Sequence, residues 1–315
     1  MIKYKKPSCL VLLSSYNGEK YIAEQISSIL SQEKVEVRII IRDDGSKDNT
    51  LEILNRIEDE RIEVIAGDNL GCIQSFSWLV NYAYEKYSEY EIYAFADQDD
   101  YWLSDKLYQG SKALLDYSMS YPNLYFCNMS LVDSDLNFVR NMRNHDIDIR
   151  KGNAWLGGRA AGCTMVFNRK LVELYANHNP EFCYHDYWTF LIALYFGNIV
   201  YDSKAYIKYR QHEFNVLGAH AQLSTKAHIN QRINYWIKNN TAKLQHSCAK
   251  DFLYKFRSIL NDEDKKVIGT YINYHKSISS FLKFLKSDSF KSSEPEKACI
   301  KGRILFLIRA LFGKY

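Results

Sequence analysis

An open, mostly parallel α/β sheet followed by a helical, basic extension is the fold class that this sequence predicts. In the first hundred residues, short β-branched runs alternate with segments whose apolar residues recur at helical spacing, a pattern typical of βαβ units. Charge also divides the chain. Residues 1–220 hold 23 Lys/Arg and 30 Asp/Glu, a net −7, whereas residues 221–315 hold 18 and 7, a net +11. We therefore expect a domain boundary near residue 222.

The predicted strands are apolar runs, and the predicted helices between them are amphipathic. The strands are Cys9–Ser15, Val37–Arg42, Ile62–Ala66, Ile92–Ala96, Leu124–Asp133, Cys163–Phe167 and Ile199–Tyr209. The helices are Glu19–Ser31, Asn49–Ile57, Ile73–Lys86, Leu171–Asn177 and Tyr187–Phe196, and the pattern beyond Ser224 is helical and basic. In open α/β sheets, ligands bind beyond the carboxyl ends of the strands.

Composition excludes several classes of protein. The 47% hydrophobic content of 315 residues allows a substantial core. Seven scattered cysteines without a C-x-x-C pair indicate neither a disulfide framework nor a zinc site, and a reducing cytoplasm fits them. No stretch reaches the roughly 18 apolar residues that a membrane span needs. The apolar run after the basic N-terminus predicts a buried strand and not a signal peptide.

The segment Asp97-Gln98-Asp99-Asp100 follows an apolar run directly and places three carboxylates in four positions. Burial and mutual repulsion make such a group costly without a counterion, and Mg²⁺ or Mn²⁺ bridging phosphate oxygens supplies one. The alternative interpretation is a solvated turn that caps the next helix. The other polar strand ends favour the metal site.

Asp43-Asp44-Gly45-Ser46 forms a second acidic strand end. Gly45 permits a tight turn, and the residues after it suit a helix cap. A plain β-to-α turn explains Gly45 onward but not the paired acids. A fixed carboxylate accepts the N–H of a nucleobase imide, so we predict that Asp44 binds a base.

Five motifs in order resemble glycosyltransferase family 2 over about residues 7 to 220. They are Tyr16-Asn17, Asp43-Asp44-Gly45-Ser46, Asp97-Gln98-Asp99-Asp100-Tyr101-Trp102, His185-Asp186-Tyr187-Trp188 and Tyr209-Arg210-Gln211-His212. The short form of the third motif and the His-Asp-x-Trp element particularly resemble the rhamnosyltransferase-like branch, which builds capsules, O-antigens and cell-wall polysaccharides. The resemblance implies a GT-A fold with a nucleotide half, about residues 7–100, and an acceptor half, about residues 101–222.

The resemblance also implies roles for individual residues. Tyr16, Asn17, Asp44 and Asp97 would bind the donor nucleotide, and Asp99 with His212 would hold Mn²⁺ or Mg²⁺. Asp100, Trp102, His185, Trp188 and Arg210 would line the donor-sugar or acceptor pocket. For the Trp and His side chains, a structural role is the alternative.

An inverting transfer needs a general base, and the matching carboxylate is Asp186. Asp186 begins an apolar helix, where partial burial raises a carboxyl pKa and the helix start offsets part of the shift. Without the resemblance, an ordinary Asp in a first helical turn is the better interpretation. The family usually shows Glu-Asp here, so His185 is a departure.

The last fifteen residues, 301–315, mix basic and apolar side chains and suit a helix lying among lipid headgroups. We expect the tail, residues 223–315, to hold a cytoplasmic enzyme on the inner face of the cell membrane, beside a lipid-linked or polysaccharide acceptor. The alternative is a helical cap packed on the catalytic domain or on a second subunit of a homodimer.

The predicted function is transfer of a sugar from a nucleoside-diphosphate donor, with dTDP-L-rhamnose first and UDP-hexoses next. A sugar-nucleotide nucleotidyltransferase would show a Gly-rich basic loop after the first strand, where one Gly stands here. A non-catalytic scaffold is the other alternative. No G-x-G-x-x-G follows a strand, and no nucleic-acid-binding module is recognisable.

Overall fold

The structure is a computed structural model that describes residues 6–144, 147, 149–155, 160–212, 241–274 and 276–286. The chain divides into two compact units. The first takes in residues 1–147, 160–179 and 184–221, and the second takes in residues 148–159, 180–183 and 222–315. The predicted boundary near residue 222 lies outside the described residues and stays a prediction.

Strands and helices alternate through most of the first unit. The strands are β1 (Ser8–Ser15), β2 (Glu36–Asp43), β3 (Ile62–Ala66), β4 (Ile92–Ala96), β5 (Tyr101–Trp102), β6 (Asn123–Val132), β7 (Phe138–Asn141), β8 (Met165–Asn168) and β9 (Asn198–Arg210). The helices of the chain are α1 (Ile22–Leu30), α2 (Thr50–Asn55), α3 (Gly71–Lys86), α4 (Lys106–Leu115), α5 (Lys151–Ala154), α6 (Arg169–Asn177), α7 (His185–Phe196), α8 (Thr241–Lys255), α9 (Asp262–Asn273) and α10 (Ile278–Lys286). Helices α5 and α8 to α10 belong to the second unit.

The described strands form one sheet in the order β3-β2-β1-β4-β8-β6-β9-β5, with β7 beside β6. The pairs β3–β2, β2–β1 and β1–β4 are parallel. Strand β8 is antiparallel to both of its neighbours, and β6 and β9 are parallel. The predicted α/β class is confirmed.

Continuous apolar runs form the central strands because both faces of the sheet are covered. Residues 10–13 of β1 and 39–41 of β2 have no solvent exposure. Both β3 and β4 coincide with their predicted bounds. Helix α1 begins at Ile22 and not at the predicted Glu19, because the Gly18 carbonyl accepts hydrogen bonds from Tyr21 and Ile22 and closes a turn there.

Gly197 makes the passage from α7 to β9 possible. A Cβ built on this residue would lie 1.7 Å from the carbonyl oxygen of Pro122. No other amino acid fits so close to a backbone atom. The same carbonyl accepts a hydrogen bond from the Asn198 amide, which starts β9 beside β6.

The second unit has its own packed contacts. The Trp155 ring lies 5.8 Å from that of Phe252 and 5.7 Å from that of Tyr271. Lys151 forms an ion pair with the largely buried Asp264 at 2.8 Å. Helix α9 begins at an N-cap, Asn261, and its acidic first turn complements the helix dipole. None of the described helices has the length and apolar character needed to cross a bilayer.

Asn168 carries the first testable prediction, because this fully buried amide joins β8 to two other segments. Its oxygen accepts from Asn123 N at 2.9 Å and Leu171 N at 3.2 Å, and its nitrogen donates to Tyr121 O at 2.7 Å. We expect Asn168→Ala to lower the free energy of unfolding by about 2–4 kcal/mol, since backbone groups lose their partners. Urea denaturation measures this loss.

The matched control is Asn55→Ala on an exposed helix end, where a change within about 0.5 kcal/mol is expected. An Asn168→Ala protein as stable as this control would show that water replaces the amide without cost.

Candidate active site

The loops that follow β1, β2 and β4 are tied together by hydrogen bonds. Tyr16 N donates to the Gln98 amide oxygen at 2.8 Å, and Gln98 donates back to Tyr16 O at 3.0 Å. Asn17 N donates to Ser46 Oγ at 2.9 Å, and Asn17 Oδ1 accepts from Lys47 N at 2.8 Å. Asn17 has a φ of 51°, in the left-handed region that Asn tolerates. The structure therefore brings the three predicted polar clusters together.

Tyr16 keeps 45% of its surface exposed at this edge of the sheet. An exposed aromatic ring beside a cluster of polar loops offers a face on which a nucleobase can stack. Its position therefore suits the predicted role in nucleotide binding, which stays a prediction.

Asp44 is buried and holds the start of α3. Its two oxygens accept from Leu70 N at 2.8 Å and from Gly71 N at 2.9 Å, and the Arg42 guanidinium forms an ion pair with it. Each carboxylate oxygen can accept two hydrogen bonds, so a base N–H would have to join this set. Sequence reasoning missed the capping role. Binding of a base by Asp44 stays a prediction.

Ionising the carboxyls of the acidic segment after β4, residues 97–100, costs electrostatic free energy. Burial, with Asp99 and Asp186 nearby, raises the pKa of Asp97 to about 7. Asp100 has no solvent exposure, and neither of its oxygens has a hydrogen-bond partner among the described residues. Burial and then the charges of Asp99 and Asp97 raise its pKa well above the ordinary range. Burial and the neighbouring carboxyls thus make the ionised forms of Asp97 and Asp100 costly.

Asp99 and His212, the predicted metal ligands, lie side by side although 113 positions separate them. His212 Nε2 is 2.8 Å from Asp99 Oδ2, and the imidazole stacks on the Tyr21 ring with centroids 5.3 Å apart. A carboxylate and an imidazole are both ligands that Mn²⁺ accepts. The pair sits at the carboxyl end of β4, where the acidic charge is concentrated.

A second group of potential ligands lies next to this pair. Among the described residues, Asp97, Asp100 and Cys163 place ligand atoms within 4.8 Å of one another. The two carboxylates, with the unpartnered oxygens of Asp100, suit a hard divalent cation, whereas the buried Cys163 thiol is a soft ligand that suits it poorly. Asp97, Asp99, Asp100 and His212 are therefore the residues that fit the predicted Mn²⁺ or Mg²⁺.

Arg210 anchors the acidic segment from the end of β9. The guanidinium is almost fully buried; Nε donates to Asp99 O at 2.9 Å, and the other nitrogens reach Ser134 O and the Glu24 carboxylate. It also lies over the Tyr21 ring, 4.3 Å from its centroid. These contacts hold the loop in place, and the predicted role of Arg210 in the pocket stays a prediction.

Asp186 lies in the first turn of α7, close to Asp97. Burial raises its pKa to about 6, and the backbone amides of Tyr187, Asp186 and Gly162 offset part of that rise. The Tyr187 amide donates to its Oδ1 at 2.6 Å. A carboxylate that titrates near pH 6 is ionised at neutral pH and still accepts a proton readily, as a general base must.

The family model for Glycosyl transferase family 2 matches residues 10–175. The chain belongs to glycosyl transferase family 2. The predicted resemblance is confirmed, and with it the class of enzyme: the chain is a glycosyltransferase of this family.

Two relatives of this glycosyltransferase are themselves sugar transferases. It is 27% identical over 76% of its length to the dTDP-rhamnosyl transferase RfbG of Shigella flexneri, of which 85% is covered. It is 34% identical over 31% of its length to the UDP-Glc:alpha-D-GlcNAc-diphosphoundecaprenol beta-1,3-glucosyltransferase WfaP of Escherichia coli, of which 37% is covered.

Its fold is similar to that of S. aureus TarS in complex with UDP-GlcNAc, with a TM-score of 0.57 and 18% identity. The similarity covers 96% of this chain and 81% of the TarS chain. The predicted GT-A fold is thereby confirmed.

Three predicted pocket residues of the glycosyltransferase lie in its interior. Trp102 is 1% exposed and Trp188 is 0% exposed, with the Trp188 indole N–H donating to His178 O at 2.9 Å. His185 is 5% exposed. All three side chains are buried, and their role in lining a pocket stays a prediction.

Lys106 and Cys163 were not singled out from the sequence. Lys106 is fully buried, with Nζ 3.3 Å from the centroid of the Trp102 ring, and burial lowers its pKa to about 8. It shares one buried face of α4 with Gly110 and Leu114, so helical spacing was a usable signal. No local pattern marks Cys163, because its partners lie more than sixty residues upstream.

The raised pKa of Asp97 predicts how stability depends on pH in chelator. Because the folded pKa is about 7 and the reference value is 3.8, the fold favours the protonated carboxyl. The contribution of this carboxyl to the free energy of unfolding is fully present below about pH 4 and is lost as pH rises through about 7. We expect Asp97→Asn to raise the melting temperature at pH 8 by about 2–6 °C, and to change it little at pH 4. Thermal denaturation at both pH values measures this.

Asp116→Asn, which alters an exposed carboxyl, is the control and should follow the unmodified chain at both pH values. An Asp97→Asn protein that loses stability between pH 4 and 8 as steeply as the unmodified chain would contradict the raised pKa of Asp97.

Proposed function

We propose that this family 2 glycosyltransferase is an inverting, metal-dependent enzyme that builds a bacterial surface polysaccharide. The donor is a nucleoside-diphosphate sugar, with dTDP-L-rhamnose first and UDP-hexoses next. The observation that carries the proposal is that Asp97, Asp99, Asp186 and His212 gather at one edge of the sheet, with the carboxyl pKa of Asp186 raised to about 6.

The proposed mechanism is a single displacement. Asp186 takes the proton of an acceptor hydroxyl as its oxygen bonds to the anomeric carbon, while the bond from that carbon to the diphosphate oxygen breaks. The nucleoside diphosphate leaves on the opposite face. Mn²⁺ or Mg²⁺, held by Asp99 and His212, would neutralise charge on the leaving diphosphate. Asp97 lies near both Asp99 and Asp186, which suits its proposed contact with the donor.

The choice of donor rests on the RfbG relative, which is described as a dTDP-rhamnosyl transferase and matches over most of its length. A lipid-linked acceptor is supported by the WfaP relative, whose described acceptor is a diphosphoundecaprenol-linked sugar. Tyr16, Asn17 and Asp44 are proposed to bind the nucleotide, and Asp100 the donor sugar. No observation favours a scaffold or a nucleotidyltransferase over transfer.

Donor and metal are tested together by thermal shift with dTDP-, UDP- and GDP-sugars, in Mn²⁺ and in chelator. One class of nucleotide sugar should stabilise the protein in Mn²⁺ only, by about 2.7 kcal/mol at a hundred times its Kd. Asp99→Ala should lose the metal-dependent part of the shift. No shift with any nucleotide sugar would favour the scaffold alternative.

The role of Asp186 is tested by turnover and by pH. Asp186→Asn should bind donor normally but transfer about 10²–10⁴-fold more slowly, because the amide cannot take the hydroxyl proton. In the unmodified enzyme, turnover should fall as pH drops below about 6, where Asp186 becomes protonated. Asp116→Asn serves as the control. Near-normal turnover of Asp186→Asn would remove this residue from the base role.

We further propose that the basic tail holds the enzyme on the cytoplasmic face of the membrane, near its acceptor. Within the described part, α10 carries Lys283 and Lys286 beside Leu282, which is 49% exposed. Residues 301–315 lie outside the described residues. Truncation after residue 295 should abolish binding to anionic vesicles, measured by flotation, while neutral vesicles serve as the control. Unchanged binding would favour packing of the tail on the catalytic domain or on a second subunit.

A further inference from the structure

Gly162 and His185 approach each other more closely than a side chain at position 162 would allow. A Cβ on Gly162 would lie 2.4 Å from His185 Nε2. Gly162 opens the 3-10 turn Gly162–Thr164, and His185 opens α7. The imidazole therefore occupies the space that a side chain at position 162 would need.

The His185 ring is fixed by aromatic neighbours. It stacks on Phe76 with centroids 3.6 Å apart at 18°, and it meets Phe95 edge-on at 4.7 Å. Neither ring nitrogen has a hydrogen-bond partner among the described residues. Burial lowers the pKa of His185 to about 3, so the ring is neutral at every working pH. It acts on its surroundings through shape and not through charge.

The other side of Gly162 faces the proposed general base. Its backbone amide is among the amides that lower the pKa of Asp186 against the rise caused by burial. Among the described residues, the titratable groups that interact with Asp186 are Asp97, after β4, and Cys72, at the start of α3. Neither supplies a positive charge, so the backbone amides of Tyr187, Asp186 and Gly162 stabilise the ionised carboxylate.

We infer that the packing of His185 against Gly162 sets the position of the Gly162 amide beside Asp186, which makes His185 a positioning residue for sugar transfer. The inference rests on the proposed role of Asp186 as the base. The chain uses a flat neutral ring, held by Phe76 and Phe95, to support the turn.

Gly162→Ala tests the contact from the glycine side. The added methyl must displace the turn or the ring, so we expect kcat to fall at least about tenfold, while the KM for the donor changes less than about twofold. His185→Ala alone removes the support and should lower kcat in the same way. In the double variant the methyl enters the vacated space, so kcat should exceed that of Gly162→Ala and the two effects should not multiply.

The pH dependence adds a measurement that loss of stability alone would not move. In Gly162→Ala the acid limb of the kcat profile should lie at higher pH than in the unmodified enzyme, because the displaced turn carries the Gly162 amide away from the carboxylate. Gly110→Ala is the matched control: its methyl would lie 2.6 Å from Val166 Cγ2, away from the carboxylates. We expect it to lower the melting temperature and to leave the profile unchanged.

Independent, multiplying effects of the two substitutions, or an unshifted acid limb in both single variants, would overturn the inference. If Gly162→Ala does not fold, His185→Ala decides by its own kcat and acid limb, and an unchanged kcat or an unshifted limb in that variant overturns the inference. Failure of the underlying function looks different, because the unmodified enzyme would then show no acid limb near pH 6, and Asp186→Asn would retain turnover.

Discussion

Like charges gathered in a poorly solvated place are the constraint on which the rest of this structure depends. Asp97, Asp99 and Asp100 follow a strand with no exposed residue in its last three positions, and Asp186 approaches from α7. Each carboxylate raises the cost of ionising its neighbours. Such a cluster persists only when the fold around it is stable enough to hold it, and when a bound cation or substrate relieves it.

The surrounding contacts are those that this constraint demands. Gln98 ties the acidic segment to Tyr16, Asp43 and Asp48 hold the loop after β2, and Arg210 fastens the Asp99 backbone from the far side. Backbone amides donate several of these hydrogen bonds, because the strands orient them and they do not titrate. The polar loops are therefore held by several hydrogen bonds, which suits a site that must be preorganised.

Much of the fold followed from local patterns. Continuous apolar runs located β1 to β4 within a residue of their ends, because strands buried on both faces need such runs. Proximity of the polar clusters also followed, since parallel neighbours end at one edge. The sequence could not show how deeply individual side chains are buried. Trp102, Trp188 and His185 carry polar atoms, and only packing against residues far along the chain decides that they are interior.

The structural role of Asp44 could not be predicted from the sequence either. A carboxylate at a strand end suits a ligand as well as it suits the start of a helix, and here it caps α3, which begins 27 residues later. Arg210 is a similar case, because its partners come from α1 and from the loop after β6. The resemblance located these positions correctly, but it could not say which of their contacts are internal.

The link between Asp99 and His212 has a consequence for how the protein is made. The acidic segment leaves the ribosome more than a hundred residues before the histidine and Arg210 that complete its surroundings. Until β9 has joined β6 and β5, the carboxylates lack these partners. A nascent chain therefore has most of its sheet before it has a finished site, and a product that ends short of residue 210 would have the nucleotide half without the means to hold it in working order.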